Sequence, residues 1–457
     1  MRRSLILILA LAILAGCGFG FSHTAISAQQ DKVTVTEQVI AGDPDAAAGV
    51  RVQMRMKCAD HLLWETHYAV GAPDGTYSNF TFSRSDLGDF DPYYSNIDIA
   101  TFGNSSYSGA FNIDAEDGDE RALHGVKLFR AVAENTDPGS THTEVLRVRD
   151  YYEYFPLDVW TSLPGSVSDE QERQITAAIQ EFFRISVPED YRVKVTVTKE
   201  ADGSIYEMSM ETLGDGVSTW LNGQVAMDGV HYFTLDVESG ATVSTGQSPD
   251  DVGIYRLSYG GEDVSLETVF PIDPTAETID LHLSADASKL LLTTFEQDTY
   301  YLTVIDLQTM TELQKLPVME DAARGVWWGA NYNDDFLVVA FSTEAEFRFV
   351  VLSAPETGDY AVAMRGTVPE DDPAWALDAA MDFDGETLVI ATQWWYWDDT
   401  GAYMHLPFGF LLSVYDAGGL RYTGQYGNSL MDESSQWATG DRNCYFTNVN
   451  PLTVTLP

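Results

Sequence analysis

Two independent series of anchors recur in the second half of the chain at a spacing near fifty residues, and nothing else constrains the fold as strongly. Ser258, Asp306, Ser353 and Asp416 each close an apolar strand that leads through a polar turn into another strand, at spacings of 48, 47 and 63 residues. Leu290, Leu337 and Leu388 each lie in an earlier apolar run that follows a turn, at Asp286-Ala287-Ser288, Asn333-Asp334-Asp335 and Asp384-Gly385-Glu386, at spacings of 47 and 51. The last copy is therefore 12 residues longer than its own first half requires, and the excess falls between its second and third strands, in residues 393–407. Four short strands per unit cannot bury a sheet's two faces alone, so successive units must stack.

This pattern is similar to the WD40 and quinoprotein-like β-propeller superfamily, above all in Val304-Ile305-Asp306-Leu307 and the following Glu312-Leu313. The likeness covers roughly residues 230–426 and lacks a Trp-Asp or Gly-His signature per blade. It implies an all-β, β-propeller-like fold, with seven or eight blades if the ring includes the N-terminal half. Residues 434–456 then supply the last strands and residues 33–40 complete that blade, tying off the open edges. An irregular sandwich, or a separate N-terminal β domain followed by a smaller ring, remains open on pattern alone.

The first half repeats poorly but is also punctuated as β. Residues 33–40, 50–57, 62–70, 126–133 and 145–152 are short, rich in β-branched or aromatic residues, and separated by Gly, Asp, Asn and Pro. One helix interrupts them: Ser168 is its N-cap with Gln171 at capping-box spacing, and Ile175, Ile179, Phe182 and Phe183 mark its apolar stripe. A hairpin follows, 193–198 with 205–210, turning at Ala201-Asp202-Gly203. The expected organisation is a signal peptide over 1–16, a tether over 17–30, an N-terminal β region over 31–155 that supplies the first blades if the ring extends that far, an α+β insertion over 156–211, and propeller repeats over 212–457.

Arg2 and Arg3 precede an apolar run over residues 5–15, too short to span a bilayer comfortably and laid out as a signal peptide. The run ends in Leu14-Ala15-Gly16-Cys17, which resembles the lipobox of bacterial lipoproteins. That resemblance implies a diacylglycerol on Cys17, which becomes the mature N-terminus, and an extracytoplasmic protein held at a membrane or cell surface through its lipid alone. The alternative is a plain signal cleaved near residues 25–28. Seventy acidic against 25 basic residues, a formal charge of −45, would repel a phosphate backbone and exclude nucleic acid as a partner.

Chemistry-bearing motifs are scarce. The eight His residues never form His-Glu-x-x-His, and no Gly-x-Ser-x-Gly elbow or phosphate-binding glycine loop stands between a strand and a helix. No cofactor and no metal are expected. The acidic stretches 114–120, 89–91 and Asp382-Phe383-Asp384-Gly385 invite Ca²⁺ but none has an EF-hand register, and turn chemistry accounts for the last.

The unusual segment is Gln393-Trp394-Trp395-Tyr396-Trp397-Asp398-Asp399, inside the 12-residue excess. Four consecutive aromatics cannot all enter one inter-blade core, because successive strand residues face opposite ways. Trp395, Trp397, Asp398, Asp399 and Tyr403 are therefore the expected ligand-binding residues, with flat rings beside carboxylates suited to a protein or glycan. Packing of these rings on the insertion itself is the competing explanation. The expected function is a non-enzymatic binding or interaction scaffold. An enzyme acting on glycans is the alternative, and it requires paired carboxylates beside the aromatics. Cys58 and Cys444, near opposite ends of the mature chain, are a candidate disulfide in an oxidising compartment.

Overall fold

A computed structural model describes residues 2–30, 32–58, 62–72, 76–82, 96–101, 105–111, 125–163, 167–227, 229–237, 243–245, 252–261, 263–284, 286–320, 326–332, 336–342, 347–353, 359–368, 379–393, 396–397, 403–404, 409–429, 444–446 and 452–457. The protein is mostly β, built from four-stranded antiparallel meanders of the kind that form propeller blades. Two compact units divide it: Met1–Asp91 with Asp321–Pro457, and Pro92–Glu320.

The first unit contains three such sheets. Sheet A sets Tyr77–Phe82, Leu62–Ala69 and Arg51–Cys58 side by side, and the C-terminal strands Cys444–Phe446 and Leu452–Thr455 both pair with Arg51–Cys58. Sheet B is the meander Val326–Tyr332, Phe336–Ser342, Phe347–Ser353 and Ala361–Val368. Sheet C runs Ala380–Phe383, Leu388–Gln393, Gly409–Asp416 and Gly419–Asn428, and Val35–Gly42 joins it as a fifth strand.

The terminal strands thus differ in one respect from the sequence expectation, which placed 33–40 and 434–456 in a single blade. Val35–Gly42 extends sheet C, while the C-terminal strands complete sheet A. A 3₁₀ turn over Pro44–Ala47, opened by the Asp43 side chain accepting from the Asp45 N–H, carries the chain from one sheet into the next. Gly42 makes the departure feasible: its φ is +81°, and a Cβ there would sit 2.1 Å from the Arg421 carbonyl oxygen.

Sheet C is covered on both faces. Leu388 and Ile390 pack with Phe336, Val338, Phe349 and Val351 of sheet B, whereas Val389 and Ala391, pointing the other way, pack with Val52, Met54, Trp64 and Tyr68 of sheet A.

In the second unit, sheet D comprises Gln224–Met227, Val230–Phe233, Gly253–Ser258 and Ser265–Pro271, and sheet E comprises Glu277–Leu283, Lys289–Glu296, Thr299–Asp306 and Thr311–Met319. Tyr232 and Ile254 of sheet D meet Leu281, Leu290, Leu292 and Ile305 of sheet E. The opposite face of sheet D, with Phe233, Tyr255 and Leu257, packs into a core that includes Ile175, Ile179, Phe182 and Phe183.

The repeat anchors occupy equivalent places. Leu290, Leu337 and Leu388 lie in the second strands of sheets E, B and C and are 0%, 1% and 0% exposed. Ser258, Asp306, Ser353 and Asp416 are the last residues of the third strands of D, E, B and C. The Asp anchors have a local cause: Asp306 Oδ1 accepts from the Thr309 N–H at 2.7 Å and Asp416 Oδ1 from the Gly418 N–H at 2.7 Å, closing the turn before the fourth strand.

The α+β layer of the second unit draws on more of the chain than 156–211. Arg192–Lys199 and Ile205–Leu213 form the expected hairpin, flanked by Thr141–Arg147 and Ser105–Phe111. The helix Asp169–Phe182 begins with the capping box of Ser168 and Gln171. A second helix, Val126–Glu134, stands where the sequence reads as a strand. Leu128, Phe129, Val132 and Ala133 are its buried residues, a stripe with helical period in a segment too short for that period to stand out in the sequence. The expected strand over 145–152 likewise stops at Arg147 and becomes a 3₁₀ turn over Val148–Asp150.

The leader is a single helix, Arg2–Gln30, that continues without a break through Cys17 and through the expected tether. Ile8–Ala28 is long and apolar enough to cross a membrane by length and composition, because nothing charged follows the first apolar run. Its exposed apolar surface is that of a signal sequence. Near its end Ile26 packs against the core beside sheet A, and the His23 and Phe80 rings stand 5.4 Å apart.

Candidate functional site

The 12-residue excess lies where the repeat spacing places it, between the second and third strands of sheet C, and it makes a two-stranded hairpin of its own. Tyr396–Trp397 pairs antiparallel with Tyr403–Met404, with Tyr396 opposite Met404 and Trp397 opposite Tyr403. Its two stems are among the best-packed strands of the unit. Leu388, Val389, Ile390 and Ala391 lead in, and Phe410, Leu412 and Val414 lead out, all buried. Trp395, Asp398 and Asp399 lie outside the described residues, as do the side chains of Trp397 and Tyr403.

A polar cluster that sequence reasoning missed sits where Val35–Gly42 joins sheet C. The Glu37 carboxylate accepts from the Tyr422 hydroxyl at 2.8 Å and from the Tyr68 hydroxyl at 3.2 Å, and the Tyr422 and Tyr426 hydroxyls are 2.8 Å apart. Burial, then the Glu37 charge, raises Tyr68, and burial pushes Tyr422 up to about 12. Burial and the Tyr422 hydrogen bond raise Tyr426. These phenols stay neutral donors, so the cluster fastens an otherwise exposed strand. Its members come from three distant parts of the chain, which no local pattern could have joined.

In the second unit, Asp236 is a carboxylate shifted upward, against the turn carboxylates such as Asp286 that hydrogen bonds hold down. Burial pushes Asp236 up to about 6, with the Glu277 charge adding to the rise and a hydrogen bond from Asn222 opposing it. Asn222 donates to Asp236 Oδ2 and to the Thr278 carbonyl, so it ties the Thr219–Trp220 and Asp236–Val237 ribbon to the first strand of sheet E. Nearby in sequence, His231 is fully buried and pushed down to about 4 by burial, with Nε2 3.0 Å from Gln224 Oε1. A cleft of about 350 Å³ in this unit is lined by other residues, including Thr101, Tyr191, Thr212, Ser218 and Thr219. Several of these hydroxyls are already engaged within the fold: Thr101 donates to the Val217 carbonyl and Thr219 to that of Ile99.

Among the described residues no three His, Cys, Asp or Glu side chains gather as a metal-binding group. Residues 114–120 and 89–91 lie outside the described residues. At Asp382-Phe383-Asp384-Gly385 the carboxylates are occupied by the backbone: Asp384 Oδ1 accepts from the Glu386 and Thr387 N–H groups, and Asp382 Oδ2 from that of Leu456 at 2.7 Å.

No protein-family model matches the chain, and no curated protein does. Solved structures give distant likenesses. A β-propeller domain from Myceliophteria thermophila is 12% identical over 51% of this chain and 70% of its own, with a TM-score of 0.28. A putative 6-phosphogluconolactonase from Bacteroides fragilis is 10% identical over 82% and 93%, with a TM-score of 0.31. Hydrazine synthase of Kuenenia stuttgartiensis is 16% identical over 52% and 62%, with a TM-score of 0.26, so the match spans less than two thirds of that chain. At such scores these likenesses carry no functional weight, and the blade arrangement rests on the sheets themselves.

Proposed function

We propose that this protein is a lipid-anchored, extracytoplasmic binding scaffold that recognises a protein or glycan through the aromatic hairpin of sheet C. The observation that supports it is the hairpin itself: an added ribbon with Trp397 opposite Tyr403, inserted in the chain between two core-packed strands of a blade that is otherwise complete. Aromatic rings on a rigid base lose little conformational freedom on binding and stack well on sugars or apolar side chains. The test uses Trp397→Ala in the full-length protein, screened against a glycan array and against labelled cell-surface extract. Loss of a wild-type ligand with an unchanged melting temperature supports recognition. A fall of several degrees in melting temperature with no ligand lost returns the ring to a packing role.

The anchor in this reading is Cys17, which is exposed and carries a free thiol on the leader helix. Two or three acyl chains there would hold the protein stably on a bilayer, each buried methylene adding about 0.8 kcal/mol. Mass spectrometry of the mature N-terminus is expected to find an acylated Cys17, and Cys17→Ala is expected to move most of the protein out of the membrane fraction. An intact leader would instead assign the Ile8–Ala28 segment to the membrane and overturn the lipid anchor.

A further inference from the structure

The backbone register brings together the only two cysteines that remain in the body of the chain. Cys58 ends the central strand of sheet A and Cys444 begins the C-terminal strand beside it, and they are direct cross-strand partners. Their neighbours hold the same register, Lys57 opposite Tyr445 and Met56 opposite Phe446, and the pairing resumes from Met54 opposite Leu452 to Arg51 opposite Thr455. Directly opposed residues of an antiparallel ladder have Cα atoms about 4.5 or 5.5 Å apart, depending on whether the pair is hydrogen-bonded. Both values fall in the range of about 4.4–6.8 Å that a disulfide requires.

We propose that Cys58 and Cys444 form a disulfide that locks the C-terminal strand onto sheet A. Sequence separation gives no reason for the coincidence, because the two residues lie near opposite ends of the folded body. Sheet A is also held at its last edge by short strands that a covalent tie would secure. Among the described residues its edge beyond Arg51–Cys58 is supplied by the short strands Cys444–Phe446 and Leu452–Thr455, which without a tie fray readily and leave that edge unpaired. The bond closes a loop spanning nearly the whole body, the geometry that most restricts the unfolded chain.

In the oxidation, one thiolate attacks the disulfide of an extracytoplasmic thiol–disulfide oxidoreductase. The second thiolate then displaces the carrier, which leaves as a dithiol with the two electrons and two protons. The presence of that oxidant rests on the export reading above; the geometry does not.

The experiment therefore separates the two. Full-length protein is equilibrated with reduced and oxidised glutathione, its free thiols are alkylated, and it is digested without reduction. The expected product is one cross-linked peptide pair containing Cys58 and Cys444, lighter by two hydrogens than the separate peptides and abolished by reductant. Alkylation of both residues under oxidising glutathione overturns the disulfide, whatever the protein's location. Export is scored independently by the fractionation of Cys17→Ala. In thermal melts, Cys58→Ser and Cys444→Ser are each expected to lower the melting temperature by the same several degrees, and the double variant by no more. Additive losses, or none, would show that the two thiols do not act as a pair.

Discussion

Replacing Leu388 by alanine is expected to lower the free energy of unfolding by about 2–5 kcal/mol, through lost transfer energy and the cavity left behind. Leu388 is fully buried in the second strand of sheet C, among Phe336, Phe349 and Tyr415, so the cavity would open between two blades. Relaxation is hindered there, because the same strand is pinned from the other side by Val389 and Ala391. Denaturant unfolding followed by intrinsic fluorescence measures the effect. Leu313→Ala is the control, an apolar residue of sheet E that is 53% exposed, for which a change within about 0.5 kcal/mol is expected. A comparably small loss at Leu388 would mean that sheets B and C do not share a tightly packed core.

The blades were legible in the sequence because two constraints recur along the repeats, the first in the second strands and the second at two of the four turns. Leu290 and Leu388 must be apolar to fill the space between sheets, and Asp306 and Asp416 must carry a short acceptor to close the turn after the third strand. Each requirement leaves a residue type at a fixed offset, so the period survives even without a blade signature. The same spacing located the inserted hairpin, since an insertion displaces the later anchor and spares the earlier one. Other features leave no such trace. The helix Val126–Glu134 is only nine residues long, so its apolar period is brief, although its Lys, Leu, Arg, Ala and Glu residues and the one-and-four spacing of its buried side chains are those of a helix. The assignment of Val35–Gly42 to sheet C depends on partners in Gly419–Asn428, almost the length of the chain away, and on a polar contact from Glu37 to Tyr422. Of the proposed recognition hairpin, its place between the second and third strands of sheet C and its Trp397–Tyr403 pairing follow from spacing and backbone register, whereas side-chain placement is not encoded in spacing.

Asp236→Asn is expected to stabilise the protein at neutral pH, by up to about 3 kcal/mol if the full rise in its pKa is relieved. The wild-type carboxyl is pushed up to about 6 by burial, so the folded state retains a proton that the unfolded chain releases near its ordinary value of 3.8. The resulting penalty is absent below about pH 4, grows as pH rises, and is complete above about pH 6. His231 acts in the opposite sense: burial pushes it down to about 4 from 6.5, so its neutral burial becomes costly as pH falls through that same interval. In the wild type the two slopes oppose each other between about pH 4 and 6. An amide at 236 can still accept the Asn222 hydrogen bond through its oxygen, and it removes both the buried charge and the repulsion from Glu277. The variant's advantage should therefore be largest above pH 6 and vanish near pH 4, leaving the His231 slope exposed as a steeper loss of stability on acidification. Melting temperatures of both proteins across pH 4–8 give this difference directly. A gain of constant size at every pH would mean that Asp236 ionises in the fold at no penalty, and destabilisation at pH 7 would mean that its contact with Asn222 depends on the charge.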